Sequence, residues 1–559
     1  MWNYLKTPAI HPNMNNSNNG GSDIPATSSD SSGEEVIDLQ GDQLHELQDT
    51  SLKLSAWDIW ALGLSTTFGG HFYLWSVVSL TGFGGLLVTT FLVFTGYAVL
   101  MLCIAELASA LPFAGNYIVI FLHRQPNKNF TLCCLCCAYF YTGGAYGVAR
   151  VTLGSYVGFL VACFDVYQSM FYAFFVVYIL GFYIDIMFES DPDNHPIWWV
   201  IIYSTYILAH AWGGRTYWVM LKVLSFTSLG LLLVYILGCI KIADFDKYAP
   251  MPALDNHIES VWFVGGANLF FRALPYPCFF FVGNESLNLA AHDTKNPKVD
   301  IPWGYFTSFT TVAVLTFALI FVTSSVYPGT VFMPYLAVAP LSTGYMLLFD
   351  INIKKAIALT VVPIYTSGFG FTYYYASQMR AMGKSGLVNT WLGYDMPYLN
   401  TPVNALLFGA AIGFLVGCRY QYLDPIKYES LFHINLIGAV CVYFTQFISF
   451  IVFRWYYPTI KREFTSPLGI YGAVYGIVLF IPVFVALVAL ETSIMIIAFV
   501  IYVVALSIYY VLVVRHRQMF SEEEKTVLFK AYLMKSKNYL FLFLNESFIL
   551  PVFYHILIY

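Results

Sequence analysis

The chain has 559 residues, of which 58% are hydrophobic, 19% aromatic and only 11% charged, where soluble proteins carry about 25% charged residues. With a mean hydropathy of +0.66, this excludes an ordinary soluble enzyme and favours a bundle of apolar membrane helices of about 20 residues each. The net charge of -5 belongs to the first 55 residues, which hold eight acidic against two basic residues, and no basic stripe exists to engage nucleic acid.

In chain order, residues 1–55 form an acidic tail rich in Asn, Ser, Gly and Asp between Asn13 and Asp30, expected to be disordered and cytosolic. It has neither the apolar core nor the cleavage site of a signal peptide, so the first membrane helix is expected to direct insertion. A permease-like helical domain is expected over 56–515, with apolar runs at 57–80, 83–110, 151–183, 196–212, 217–240, 262–290, 303–327, 353–379, 402–418, 433–454, 468–489 and 491–514. Twelve spans place both termini on one side. Loops after even-numbered spans carry Arg124, Lys128, Arg215, Lys295, Lys298, Arg380, Lys384, Arg454, Lys461 and Arg462, which makes that side cytoplasmic. Opposite loops hold Glu189, Asp191, Asp193, Asp244 and Asp350, with Lys354 and Lys355 as exceptions. Residues 516–559 are expected to form a cytosolic tail with an unusually apolar end from Tyr539 to Tyr559. The ten cysteines lie almost wholly in apolar runs or near residue 135, so a disulfide framework is not expected.

Two spans are interrupted by glycine: the first at Thr66-Thr67-Phe68-Gly69-Gly70-His71, the sixth at Phe281-Val282-Gly283-Asn284-Glu285. Breaks five spans apart match an all-α membrane fold of five-plus-five inverted repeats with two additional C-terminal helices. In it, broken helices expose carbonyls and helix ends to a substrate near the bilayer midplane. Close helix packing at Gly-Gly is the competing explanation.

The run ALPYPCFFFVGNESLNLAAHDTKNPKVDIPWG (273–304) resembles the amino acid/polyamine/organocation permeases, in which a membrane Glu leads into an AEE-x-K-[ND]-P-x-[RK]-x-IP signature. Here His292 and Asp293 replace the two acids. WDIWALGLSTTFGGHFYLW (57–75), AELASALPFAG (105–115), GGAYGVARVTLG (143–154) and YPTIKREFTSPLGIYGAVYG (457–476) are similar to the ethanolamine-permease branch, and the resemblance covers roughly 55–535. It implies a transporter rather than an enzyme. One departure stands out: removing residues 116–143 joins LPFAG directly to Gly144-Ala145-Tyr146, as in the family. That insertion is either a translated intron or a lineage-specific segment. Its Cys133, Cys134, Cys136 and Cys137 lack the spacing of a zinc site, so no metal and no cofactor is expected.

An ammonium substrate needs carbonyls, a carboxylate or aromatic faces. Thr66, Thr67, Phe68, Gly69, Gly70, His71, Phe279, Phe280, Phe281 and Gly283 are therefore the candidate substrate-binding residues. Glu285 is a gating or coupling candidate, since an acid at a helix centre costs about 2.5–3.5 kcal/mol on insertion scales; a hydrogen-bonding anchor is its favoured role over direct pairing with the substrate. His71 has two readings, a ligand or proton relay and a donor to a neighbouring carbonyl. Lys222 is a coupling amine or, as the better reading, a side chain that snorkels. Thr366 and Ser367 are candidate ligands for a sodium ion, with hydroxyl back-bonding as the alternative. The expected function is import of a small amine, ethanolamine first, across the plasma membrane, driven by a proton or sodium gradient. The alternatives are an amino-acid permease and, more remotely, a transporter-like nutrient sensor.

Overall fold

The computed structural model describes residues 53–73, 75–111, 144–190, 194–250, 261–333, 339–396, 401–422, 428–458, 460–490 and 493–519. Most of the acidic tail, the insertion at 116–143 with its four cysteines, and the apolar end at 539–559 lie outside the described residues.

The main helices are α1 (Ala56–Tyr73), α2 (Gly82–Ala110), α3 (Gly144–Leu153), α4 (Ser155–Phe188), α5 (His195–Trp212), α6 (Gly214–Cys239) and α7 (Gly266–Ala273). They continue as α8 (Pro297–Ser324), α9 (Ser342–Phe349), α10 (Ile353–Lys384), α11 (Val403–Tyr422), α12 (Tyr428–Tyr456), α13 (Gly469–Leu490) and α14 (Ser493–Tyr509). Among the described residues, eight helical segments are long and apolar enough to cross a membrane: α2, α4, α6, α8, α10, 435–456 of α12, α13 and 496–517. Without water, a backbone N–H or C=O must find its partner inside its own segment, which is why these apolar runs are helical throughout.

The ends are set by local chemistry. Pro297 occupies the first turn of α8, where a missing N–H costs nothing, and Asn352 accepts from the Lys355 N–H at the start of α10. Glu189 and Asp350 close α4 and α9 in the left-handed region, at φ 54° and 51°.

The helix α1 is the axis of the fold: every residue from Asp58 to Tyr73 is buried, against α10, α8 and α6. Outer helices show the reverse pattern. In α6, Val219, Val223, Phe226, Leu233 and Leu237 form an exposed apolar stripe, as do Ile497, Ile501, Val504 and Ile508 in α14. Spacing of three and four residues keeps each stripe on one helix face, and such faces suit lipid rather than water.

Charged groups gather at helix ends and pair there. Glu106, with a fully buried side chain, receives Arg454 Nε at 3.0 Å, the Ser466 N–H at 2.7 Å and Arg462 at 3.1 Å. At other helix ends Lys354 pairs with Glu189, which accounts for one of the two lysines that break the loop-charge pattern: its charge is matched by an acid of the α4 terminus. That carboxylate is held below its ordinary range by the lysine beside it.

Candidate functional site

The sixth apolar run is broken, as its Gly283 predicts. After α7 the chain makes a tight 3₁₀ turn (Tyr276–Phe280), passes through Gly283 in the left-handed region at φ 106°, and continues as a second 3₁₀ segment (Asn284–Asp293). A Cβ on Gly283 would lie 2.6 Å from the Thr66 side chain, so glycine is required here both for φ and for space.

Glu285 sits just past this break, 3% exposed, and fastens three elements together. Its Oε2 accepts from the Gly283 N–H at 2.7 Å, and its Oε1 from Gln168 Nε2 of α4 at 2.6 Å and from the Tyr443 hydroxyl of α12 at 2.8 Å. Tyr97 of α2 donates in turn to Tyr443 at 3.0 Å, and Tyr305 of α8 donates to the Glu285 carbonyl at 3.0 Å. Replacing bulk water by several fixed donors is what lets a carboxylate remain buried. This geometry is that of an anchor for the broken segment.

The first span differs from expectation. Residues Thr66 to His71 lie within a continuous helix, and α1 ends only at Tyr73. The Thr66 and Thr67 hydroxyls bond back to the Gly63 carbonyl at 3.1 and 2.8 Å, which is compatible with an unbroken helix. The paired glycines serve packing: a Cβ at Gly70 would lie 2.0 Å from the Phe279 carbonyl oxygen, and one at Gly69 would lie 2.5 Å from Ser367 Cβ. Phe68 is fully buried and meets the His71 ring edge-on. His71 uses both ring nitrogens, Nδ1 at 3.2 Å from the Thr67 carbonyl and Nε2 at 2.7 Å from Thr316 Oγ1 of α8, so it links two helices.

The three consecutive phenylalanines do not form one cage. A 3₁₀ turn has three residues per turn, so neighbouring side chains leave it about 120° apart. Phe279 meets Tyr172 edge-on, Phe280 packs on His71 and Trp75, and Phe281 packs on Tyr97 and Phe309. Only the Phe279 ring joins the Tyr172 side of the Glu285 cluster, where Tyr172 also stacks on Phe371 at 4.8 Å.

Two further candidates lie elsewhere. Lys222 pairs with Asp58 at 2.8 Å at the start of α1 and keeps its side chain 36% exposed, in line with a snorkelling lysine. The Thr366 hydroxyl donates to the Val362 carbonyl at 2.8 Å and receives Ser228 at 3.1 Å, while Ser367 donates to the Thr66 carbonyl at 2.8 Å. Those hydroxyls join α10 to α6 and α1.

Sequence reasoning passed over Gln168, Tyr443 and Asp165. Asp165 is 3% exposed on α4, one turn before Gln168. Its signal was present, an acid inside an apolar run, the same one that singled out Glu285. Around the carboxylates, Gln168 Oε1, the Tyr172 hydroxyl and Asn284 Nδ2 are buried without a hydrogen-bond partner. Unpaired polar atoms at the centre of an apolar bundle are costly, and here they surround ring faces and an acid, a set able to receive an ammonium with a hydroxyl.

The family model described as amino acid permease matches residues 54–506. Among curated proteins, the methylthioribose transporter of Bacillus subtilis is 22% identical over 442 residues, 74% of this chain and 84% of that one. The isp5 protein of the Schizosaccharomyces pombe sexual differentiation process is 25% identical over 236 residues, 40% of each chain. The amino-acid permease AapA of Bacillus subtilis is 26% identical over 262 residues, 45% of this chain and 53% of its own. The chain thus matches only about half or less of the length of two of these relatives. A match along most of the sequence, on an all-helical fold with apolar membrane-length helices, places the chain in the amino acid permease family of the amino acid/polyamine/organocation superfamily, as a multi-pass membrane transporter and not an enzyme.

Proposed function

We propose that this protein is a secondary active importer of a small amine, ethanolamine foremost, working by alternating access in the plasma membrane. The observation that carries this reading is the site's polarity. An acid, ring faces and unpaired polar atoms surround the break, and the backbone donors that would hold a substrate carboxylate are already taken: α1 runs unbroken through Gly69 and Gly70, and the Gly283 N–H is held by Glu285. A pocket of this kind favours a cation over a zwitterion. Twelve spans in two inverted five-helix halves with two further helices, and both termini cytoplasmic, complete the proposal. The ion that drives transport is a proton or sodium, and no cofactor takes part.

The second reading is an amino-acid permease, which the similarity to the amino-acid permease AapA favours. Uptake of radiolabelled ethanolamine into proteoliposomes, competed by serine, alanine and choline under separate proton and sodium gradients, decides between them. Ethanolamine uptake that serine leaves intact supports the first; serine uptake without ethanolamine uptake supports the second.

A further inference from the structure

We infer that Asp165 is the carboxylate that takes up and releases the proton driving transport. This rests on the carrier reading above and goes beyond it by naming the ion and the group that binds it.

The geometry is that of two acids with unequal surroundings. Asp165 and Gln168 are three residues apart on α4 and therefore share a helix face; Gln168 reaches Glu285 at 2.6 Å, so Asp165 lies on the side of the helix that looks at the same cluster. Glu285 accepts from three donors. Asp165 is 3% exposed, and no described residue donates a hydrogen bond to it or brings it a positive charge. A buried carboxylate with neither donor nor counter-charge is costly as a bare anion, and taking up a proton removes that cost.

The surroundings leave that balance to these two acids. Besides Glu285, α8 brings the Tyr305 phenol, which donates to the Glu285 carbonyl. Of the helices packed along α4, α10, α12 and α14 bring the phenols of Tyr374, Tyr443 and Tyr502. Arg150 of α3 donates to the Met519 carbonyl, His210 of α5 is bonded to the Tyr206 and Phe369 carbonyls, and Arg419 stands in the last turn of α11. In the cycle, Asp165 takes one proton from the outer solution when the cluster opens outward. It carries that proton as the O–H of a carboxylic acid, and returns it to water on the inner side when the cluster opens there. One proton crosses per turnover, and no covalent bond of the substrate changes.

The test uses the full chain in proteoliposomes with radiolabelled ethanolamine. Wild type should accumulate it under an inward proton gradient, and Asp165→Asn, which mimics the permanently neutral acid, should lose that accumulation by at least about tenfold while still exchanging internal for external ethanolamine. Accumulation by D165N at the wild-type level, or wild-type accumulation that follows sodium and ignores the proton gradient, overturns the inference. Wild type that neither accumulates nor exchanges any amine overturns the carrier reading itself, an outcome seen before the variant is measured. Should D165N fail to fold, dicyclohexylcarbodiimide on the wild-type protein gives the second readout, because it modifies protonated carboxyls in apolar surroundings. Mass spectrometry should find Asp165 modified at neutral pH and Glu285 unmodified; modification of Glu285 alone, or of neither, overturns the assignment.

Discussion

Gln168 of α4 donates to the Glu285 carboxylate at 2.6 Å across 117 positions of sequence, and this bond ties a long continuous helix to the broken one. With the Tyr443 hydroxyl at 2.8 Å on the same oxygen, α12 is tied in as well. A carboxylate that holds three elements in register acts on transport through the position of the break, whether or not it touches the cargo.

Glu285→Gln tests that role. The amide keeps the size but puts an NH2 group where an acceptor faces Gly283 N–H or Gln168 and Tyr443, so one or two charge-assisted bonds, about 1.5–3 kcal/mol each, are lost. Uptake should fall by at least about tenfold, with surface expression preserved and the melting temperature in detergent lowered. Uptake near the wild-type rate would show that neither the charge nor the anchor limits the cycle.

Gly70→Ala probes the contact between α1 and the sixth segment. The added Cβ would lie 2.0 Å from the Phe279 carbonyl oxygen, a backbone atom unable to swing away, so α1 must move. Overpacking of this kind costs about 1–3 kcal/mol. Thermal unfolding of the purified variant should register the loss, and Gly230→Ala, where a Cβ meets nothing within 4 Å, should not.

His71 now has a structural reading that a double-mutant cycle can check. With Nε2 at 2.7 Å from Thr316 Oγ1 and Nδ1 on the Thr67 carbonyl, His71→Ala and Thr316→Val should couple by about 1 kcal/mol in stability. Ethanolamine and ethylamine binding should then weaken by equal factors. A larger loss for ethanolamine would return the imidazole to the substrate's hydroxyl.

Arg454→Ala removes a partner from the fully buried Glu106 carboxylate. Breaking a buried pair from one side costs up to about 3–5 kcal/mol, reduced here because Arg462 remains at 3.1 Å. Glu106→Gln in the same background should recover part of the loss, since the uncompensated charge is gone. If the single and double variants melt together, the pair is too wet to matter.

The sequence made much of this architecture legible, and the misses share a cause. Apolar runs bounded by charge located the helices to within a few residues in most cases, because the helix is the solution open to a chain in lipid. Gly283 announced the break in the sixth run, and Glu285 announced itself by the cost of an acid there. By contrast, Thr66 to His71 reads identically as a break or as a packing seam; the outcome depends on Phe279 and Ser367, more than 200 positions away. Phe279, Phe280 and Phe281 looked like one aromatic face because a string does not show that a 3₁₀ turn ending at Phe280, with Phe281 just beyond it, sends them in three directions. Asp165 carried the same signal as Glu285 without a glycine beside it to draw notice.

Discrimination against a carboxylate is the sharpest test of the substrate. Serine is ethanolamine with a carboxylate added, and a family member that carries amino acids must give that group N–H donors or a cation. In this chain the α1 donors around Gly69 and Gly70 are inside a continuous helix, the Gly283 N–H is bonded to Glu285 at 2.7 Å, and Lys222 is paired with Asp58 at 2.8 Å at the start of α1. A serine carboxylate entering beside Glu285 would be repelled by that carboxylate with no cation to offset it, and an uncompensated buried charge costs well over the 1.4 kcal/mol that separates decades of affinity. Ethanolamine should therefore outcompete serine by at least about tenfold in uptake assays, and choline, whose trimethylammonium keeps the charge but loses every N–H, should fall between them. Serine competing as well as ethanolamine would mean that a second conformation of α1 opens at Gly69 and Gly70 to free those donors, and would turn the assignment to an amino acid.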